Sequence, residues 1–367
     1  MINLFILMIF CFLLANQISI MSRGYSSVLV ARKKSMAVKI GYFILLLALI
    51  LFSGLRTTYN DTSTYMHAYR LVDVSKFNLL MLFEPYGGFE LFQIILKKFI
   101  SGNPQILILV SSIITNVIYV CFFSKYSKNF GLTILSYFVL GPYVFSMAGI
   151  KQILAMSFCL FAIDNLLKER KVKFVLWILF AMTFHPYIVC MLILPIFKNG
   201  IMNQKLIIYT FFIIIAVSNI DLLLSFVGII GKDYNSAEFL SSTINPLRVI
   251  VEFIPIVFIF FYRSRLKKVN NKLFNLGINM AIYNVIFLSM GLFFNPIYFG
   301  RIATYFSTIN AIIIPYLLCV IWRDLESSKT NVLIYYSVFI AYFVLDLTKL
   351  GLISIFTDLF NQICFFW

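Results

Sequence analysis

The chain has 367 residues, of which 62% are hydrophobic and only 12% charged, and its mean hydropathy is +0.96. Soluble globular domains carry about 25% charged residues, so a soluble fold is excluded and an all-α, polytopic membrane protein is expected. The net charge of +16 does not point to nucleic acid. The Lys and Arg residues cluster in short loops between apolar runs, where they mark the cytoplasmic side of a membrane.

A transmembrane helix needs about 20 apolar residues. In chain order, apolar runs cover 2–21, 37–54, 104–123, 130–147, 150–167, 174–197, 205–230, 246–262, 273–294, 302–322 and 331–348, with an apolar tail at 350–367. They predict about 10–12 transmembrane helices in a single integral membrane domain, 1–367. The first run lacks a basic start and a small-x-small cleavage site, so it reads as a retained span and not a signal peptide. The six cysteines lie singly inside apolar runs, without disulfide or metal spacing, and read as core filling. No metal site and no cofactor are expected.

Three loops are strongly basic: 23–39, "KERKVK" at 168–173, and "RSRLKKVNNK" at 263–272. Placing them in the cytoplasm puts residue 54 outside. Three runs separate residue 103 from the loop at 168–173, so 55–103 stays outside as a periplasmic segment. Its stretch "GGFELFQIILKKFI" (87–100) is short and interrupted by Lys97 and Lys98; it is expected to lie as a helix in the outer interface. The stretch 231–246 becomes a periplasmic loop. Run 174–197 then starts and ends inside and is broken by "FHPY". Because proline removes a backbone donor, a re-entrant hairpin is expected there, with His185 lifted toward the outer side.

That topology gathers the unusual polar residues on one side. Arg56, Asp61, Tyr65, Glu84 and Glu90 lie in the first outer segment. Lys151, Arg248 and Arg301 each begin or border a span next to an outward turn. Charges at membrane depth are costly and are usually paired or functional. Clustered Arg and Lys suit a phosphate or pyrophosphate, and Arg suits it best through its two-pronged hydrogen bonding. Each residue also has a structural reading. Arg56 fits an interfacial anchor, Asp61 a helix cap, and Tyr65 the aromatic belt. Glu84 and Glu90 fit solvated loop carboxylates, and His185 fits a satisfied core histidine. His67 and Arg70 read as plain loop residues. The chain has no nucleotide-binding loop, dinucleotide fingerprint or nucleophile elbow.

Several stretches carry a resemblance. They are "SGLR…YNDTSTY", "FEPYGGFELFQIILKKF", "AGIKQILAMSFCLFAIDNLLKERK", "FAMTFHPY" and "GRIATYF". In this order, from about residue 50 to 320, they resemble the EpsG/Wzy-type polysaccharide polymerases, which include bacterial O-antigen polymerases. Lys151 departs from the pattern, where the family more often has Arg; the charge is kept but the fork is lost. The resemblance implies the fold of integral-membrane, lipid-donor (GT-C type) glycosyltransferases. It also implies polymerisation of undecaprenyl-pyrophosphate-linked oligosaccharide repeat units at the periplasmic face of the bacterial inner membrane, and a separate chain-length regulator as partner. Arg56, Lys151, Arg248 and Arg301 are then expected at the pyrophosphate, with Tyr65 at the substrate. The base is expected to be Asp61, then His185, then Glu84. A lipid-linked oligosaccharide flippase is the alternative, though the chain has no internal repeat and its charges sit at one face. A membrane O-acyltransferase is a further alternative, with His185 as its histidine, but the neighbouring residues do not fit.

Overall fold

The structure is a computed structural model that describes residues 2–24, 36–202, 206, 208, 244–294, 296–322 and 328–349. Most of the basic loop 23–39, nearly all of run 205–230, the polar stretch 231–243 and the tail 350–367 lie outside the described residues. Among the described residues all regular structure is helical. The first helices are α1 (Ile2–Gly24), α2 (Met36–Gly54), α3 (Thr62–Leu71), α4 (Gly87–Phe99) and α5 (Gln105–Tyr126). They are followed by α6 (Phe130–Val139), α7 (Pro142–Ala148), α8 (Ile150–Leu167), α9 (Lys171–Phe184) and α10 (Leu194–Phe197). The last are α11 (Pro246–Phe261), α12 (Lys272–Met290), α13 (Pro296–Phe306), α14 (Asn310–Ile321) and α15 (Lys329–Lys349).

Among the described residues five helices are long and apolar enough to cross a membrane, and two bent pairs raise the number to seven. The protein is therefore a multi-pass membrane protein. This number falls below the expected 10–12 partly because some runs lie outside the described residues. It also falls because other runs are broken. Run 130–147 divides into α6 and α7, which meet at 44°. Gly141 sits at φ 90 between them, a conformation that glycine adopts without strain. Pro142 then takes the first position of α7, where a missing N–H is harmless. Run 302–322 begins earlier, as α13, and bends by 58° into α14. Run 174–197 leaves the α-helix at His185, which is extended (φ −153, ψ 108); the residue before a proline avoids the α region. Beyond it come a 3₁₀ segment, Pro186–Ile193, and α10.

The packing explains these helices. α2 leaves Ile40, Phe43, Leu47 and Leu51 exposed, a stripe at helical spacing suited to lipid. Its other side packs on α5. There Ser53 and Ser112 share a 2.6 Å hydrogen bond, and the Asn116 amide donates to Ser53 Oγ at 3.2 Å. Polar side chains pair in this way between helices in apolar surroundings. Tyr119, Phe123, Tyr137, Phe138 and Tyr143 stack where α5, α6 and α7 meet. α8 and α9 form a hairpin through the turn at Glu169, and α12 packs against α11, α13 and α14.

Segment 55–103 is more structured than a loop with one helix. α3 covers the stretch that holds His67 and Arg70. Lys97 does more than interrupt an apolar run: its ammonium donates to the carbonyls of Arg70 and Val72, both at 2.7 Å, and so caps the C-terminus of α3. α4 is a helix, as expected, with Phe89, Leu91, Ile94 and Leu96 buried and Glu90, Ile95, Lys98 and Phe99 outward.

Candidate functional site

Six separate stretches of chain meet around a cavity of about 1060 Å³. Asp61 and Tyr65 reach it from the start of α3, Glu84 and Tyr86 from the approach to α4, Glu90 from the first turn of α4, and Lys151 and Gln152 from the start of α8. His185 enters from the break after α9, Arg248 from α11, and Arg301 and Thr304 from α13. Eight of the nine polar residues singled out in the sequence thus line one cavity, and Arg56 is the exception.

The wall from α3 depends on a strained turn. Asn60 adopts φ 44, which asparagine tolerates better than most residues. Asp61 then stands at the N-cap of α3, but its side chain makes no capping hydrogen bond. Its carboxylate remains available to the cavity. Burial pushes the Asp61 carboxyl above its ordinary range, against the opposing pull of the Arg301 charge. The Tyr65 phenol is hydrogen-bonded by the backbone of Lys151, which ties α3 to the start of α8.

Arg56 lies beneath this wall, 3% exposed. Its Nε donates to Thr62 Oγ1 at 3.1 Å and its Nη1 to the Ser53 carbonyl. Gln105 Nε2 adds bonds to the carbonyls of Gly54 at 2.7 Å and Arg56 at 3.1 Å. The guanidinium therefore joins the end of α2 to the start of α3. Burial lowers it to about 10, so it stays charged at neutral pH.

The α4 wall is set by two glycines. A Cβ on Gly87 would lie 1.6 Å from the Met81 carbonyl oxygen, and one on Gly88 would lie 2.0 Å from Thr183 Oγ1. Only glycine lets this turn approach both the preceding 3₁₀ turn and the end of α9. Tyr86, just before them, is held left-handed at φ 64, a costly conformation for a bulky residue. Its ring lies edge-on to His185, with centroids 5.6 Å apart. The Lys151 ammonium lies 4.8 Å from the Tyr86 centroid and 5.1 Å from that of Phe89, within cation–π range.

The remaining wall is anchored through buried polar contacts. Gln152 Nε2 donates to the Arg301 carbonyl at 2.9 Å, joining α8 to α13. Arg248 Nε lies 3.9 Å from Glu252 Oε1, and Glu252 Oε2 accepts from Asn284 Nδ2 at 2.6 Å. His185 Nδ1 lies 2.5 Å from the Tyr305 phenol oxygen. Sequence reasoning missed Gln152, Tyr86, Glu252 and Tyr305. Two of them were detectable: Glu252 follows Arg248 by four residues and Tyr305 follows Arg301 by four, the spacing that places side chains on one helix face. Gln152 and Tyr86 lie inside the stretches "AGIKQILAM" and "FEPYGGF" that carry the resemblance, but neither was singled out there. A smaller cavity of about 430 Å³, with Phe339 and Phe343 in its wall, adjoins the first and shares Asn60, Arg248 and Thr304 with it.

Chemically, the cavity offers carboxylates, cations and aromatic rings to one ligand. No curated protein and no solved structure matches the chain. The model of the EpsG family matches residues 39–357, which takes in all of the cavity's walls. The chain therefore belongs to the EpsG family, which supports a polysaccharide-polymerase-like function in membrane polysaccharide biosynthesis.

Proposed function

We propose that the protein joins oligosaccharide repeat units carried on undecaprenyl pyrophosphate into a surface polysaccharide, and that it works at the periplasmic face of the inner membrane. The observation that carries this reading is the meeting of Asp61, Lys151, Arg248 and Arg301 at one cavity. A volume of about 1060 Å³ lies at the upper end of small-ligand sites and suits a sugar diphosphate.

In the reaction, an acceptor hydroxyl oxygen forms a bond to the anomeric carbon of the other unit. The bond between that carbon and the pyrophosphate oxygen breaks, and its electron pair leaves with the pyrophosphate. The hydroxyl proton passes to Asp61. Burial raises the proton affinity of this carboxylate, which suits it to act as a general base nearer neutral pH. Arg301, Arg248 and Lys151 meet the charge that develops on the leaving group, and preorganised cations in a water-poor site lower the barrier most. Arg56 supports the Asp61 turn from below and does not line the cavity.

The test is complementation of a strain lacking the protein. Loss of a polymerase leaves single repeat units on the outer-membrane core, whereas loss of a flippase leaves none. Arg301→Ala is expected to insert normally and to fail to restore long polysaccharide. Long ladders with Arg301→Ala, or a deletion strain without single units, would overturn the reading.

A further inference from the structure

The two ring nitrogens of His185 have different surroundings, and the difference decides what the ring does. Nδ1 faces the Tyr305 phenol at 2.5 Å. Tyr305 is fully buried, and its phenol has no other partner among the described residues. If Nδ1 carried the proton, the phenol hydrogen would be left buried without an acceptor, at the full desolvation cost of that group. The phenol therefore donates and Nδ1 accepts. A neutral imidazole that accepts at Nδ1 carries its hydrogen on Nε2.

Nε2 has no protein partner among the described residues, and the ring borders the large cavity. Tyr86 and Tyr187 lie 5.6 and 5.4 Å from the ring by centroid and fix its plane. Tyr305 stands one helical turn beyond Arg301 on α13, so the same helix supplies a cation to the cavity and sets the histidine's tautomer. Arg301 and Lys151 line this cavity too, and a second proton on the ring would add another positive charge beside them.

Resting on the proposed glycosyl transfer, we infer that Tyr305 holds His185 as the Nε2–H tautomer and that His185 donates a hydrogen bond from Nε2 to an oxygen of the leaving pyrophosphate. His185 keeps its proton throughout. The acceptor's proton goes to Asp61, and the electron pair of the broken bond goes to the pyrophosphate, which His185 solvates beside Arg301. Tyr305 is a positioning residue.

The experiment uses purified full-length protein in proteoliposomes. The substrate is the polyprenyl-pyrophosphate-linked oligosaccharide that accumulates in cells lacking the protein, and initial rates of ladder formation are read. His185→Ala removes the donor and is expected to slow the reaction about a hundredfold. His185→Gln places an amide N–H near the position of Nε2–H but supplies no base, and it is expected to remain within about tenfold of wild type. Tyr305→Phe is expected to cost about fivefold with His185 present. With His185→Gln present it should cost less than about twofold, because an amide has no tautomer to select. A packing role for Tyr305 would lower both backgrounds equally. If wild type forms a ladder but His185→Gln is as slow as His185→Ala, or Tyr305→Phe acts equally in both backgrounds, the inference is overturned. If wild type itself forms no ladder, the polymerase reading falls first and this inference falls with it.

Discussion

The two ends of α8 treat charge in opposite ways. At its C-terminal end, Asp164 accepts from Lys125, from Lys168 at 2.5 Å and from Tyr126 at 2.6 Å. Next to it, Glu169 bridges Lys198 and Lys272, the second at 2.6 Å. Each of these carboxylates is matched by two lysines. At the N-terminal end, about 20 Å away at 1.5 Å per residue, Asp61, Glu84 and Arg301 border the cavity and form no ion pair among the described residues. The first end uses charge to fasten α5, α8, α10 and α12 together. The second leaves charge facing a space large enough for a ligand. Unmatched charge in a membrane protein is costly, and its retention points to function.

The largest effect is expected at the unmatched end. Asp61→Asn should lower polymerisation by about 10²–10⁴-fold while the protein reaches the membrane at its normal level, as scored by ladder length against immunoblot. In wild type the acid limb of the rate profile should fall at a pH above the ordinary aspartate value of 3.8, because burial raises this carboxyl. An acid limb at or below 3.8 would separate Asp61 from the base.

Arg56→Ala tests whether support and chemistry are distinct. It should destabilise the protein by about 2–3 kcal/mol through the lost bonds to Thr62 and Ser53, read as a lower melting temperature in detergent. Pyrophosphate affinity of the folded fraction should remain, and a selective loss of affinity would move Arg56 into the site. Gly87→Ala should cost about 1–3 kcal/mol, since the clash is with a backbone oxygen that has little freedom to move. Activity should fall along with stability, because Glu84 and Tyr86 depend on the same turn.

The smallest effect is expected at the matched end. Glu169→Gln should lower the melting temperature slightly and leave activity intact. Hydrogen bonds from Lys198 and Lys272 hold the Glu169 carboxyl at about 2, against an ordinary 4.5. A lowered pKa contributes stability that is present above the unfolded value and lost as pH falls through the folded one. The difference between wild type and variant should therefore persist at pH 7, shrink below about 4.5 and vanish near 2. A loss of polymer with Glu169→Gln would break the contrast between the two ends.

Particular residues show why some of this was legible in the chain and some was not. Apolar length alone marked α1, α2, α5, α8 and α12, because the bilayer imposes a length that composition records directly. The break at His185 was legible because Pro186 acts on its immediate neighbour. The bend at Gly141 lay in plain sight as "GPY", but a glycine and a proline inside an apolar run also fit an unbroken span. α3 was hidden because its stretch is polar, and its C-terminal cap is Lys97, 25 residues beyond Val72. Arg56 and Asp61 looked alike as charged neighbours of a span. Only packing separates them, burying one beneath the turn and leaving the other at the cavity.

By itself, the sequence determined the solvent this protein lives in, the helical class and the family, because hydropathy and ordered motifs are written along the chain. The tertiary structure alone decided which polar groups share a cavity, which cation is a strut, and which nitrogen of His185 meets Tyr305. Those are contacts between residues far apart in the chain, set by close approaches such as Gly88 on Thr183 and Tyr305 on His185, and no local pattern encodes them.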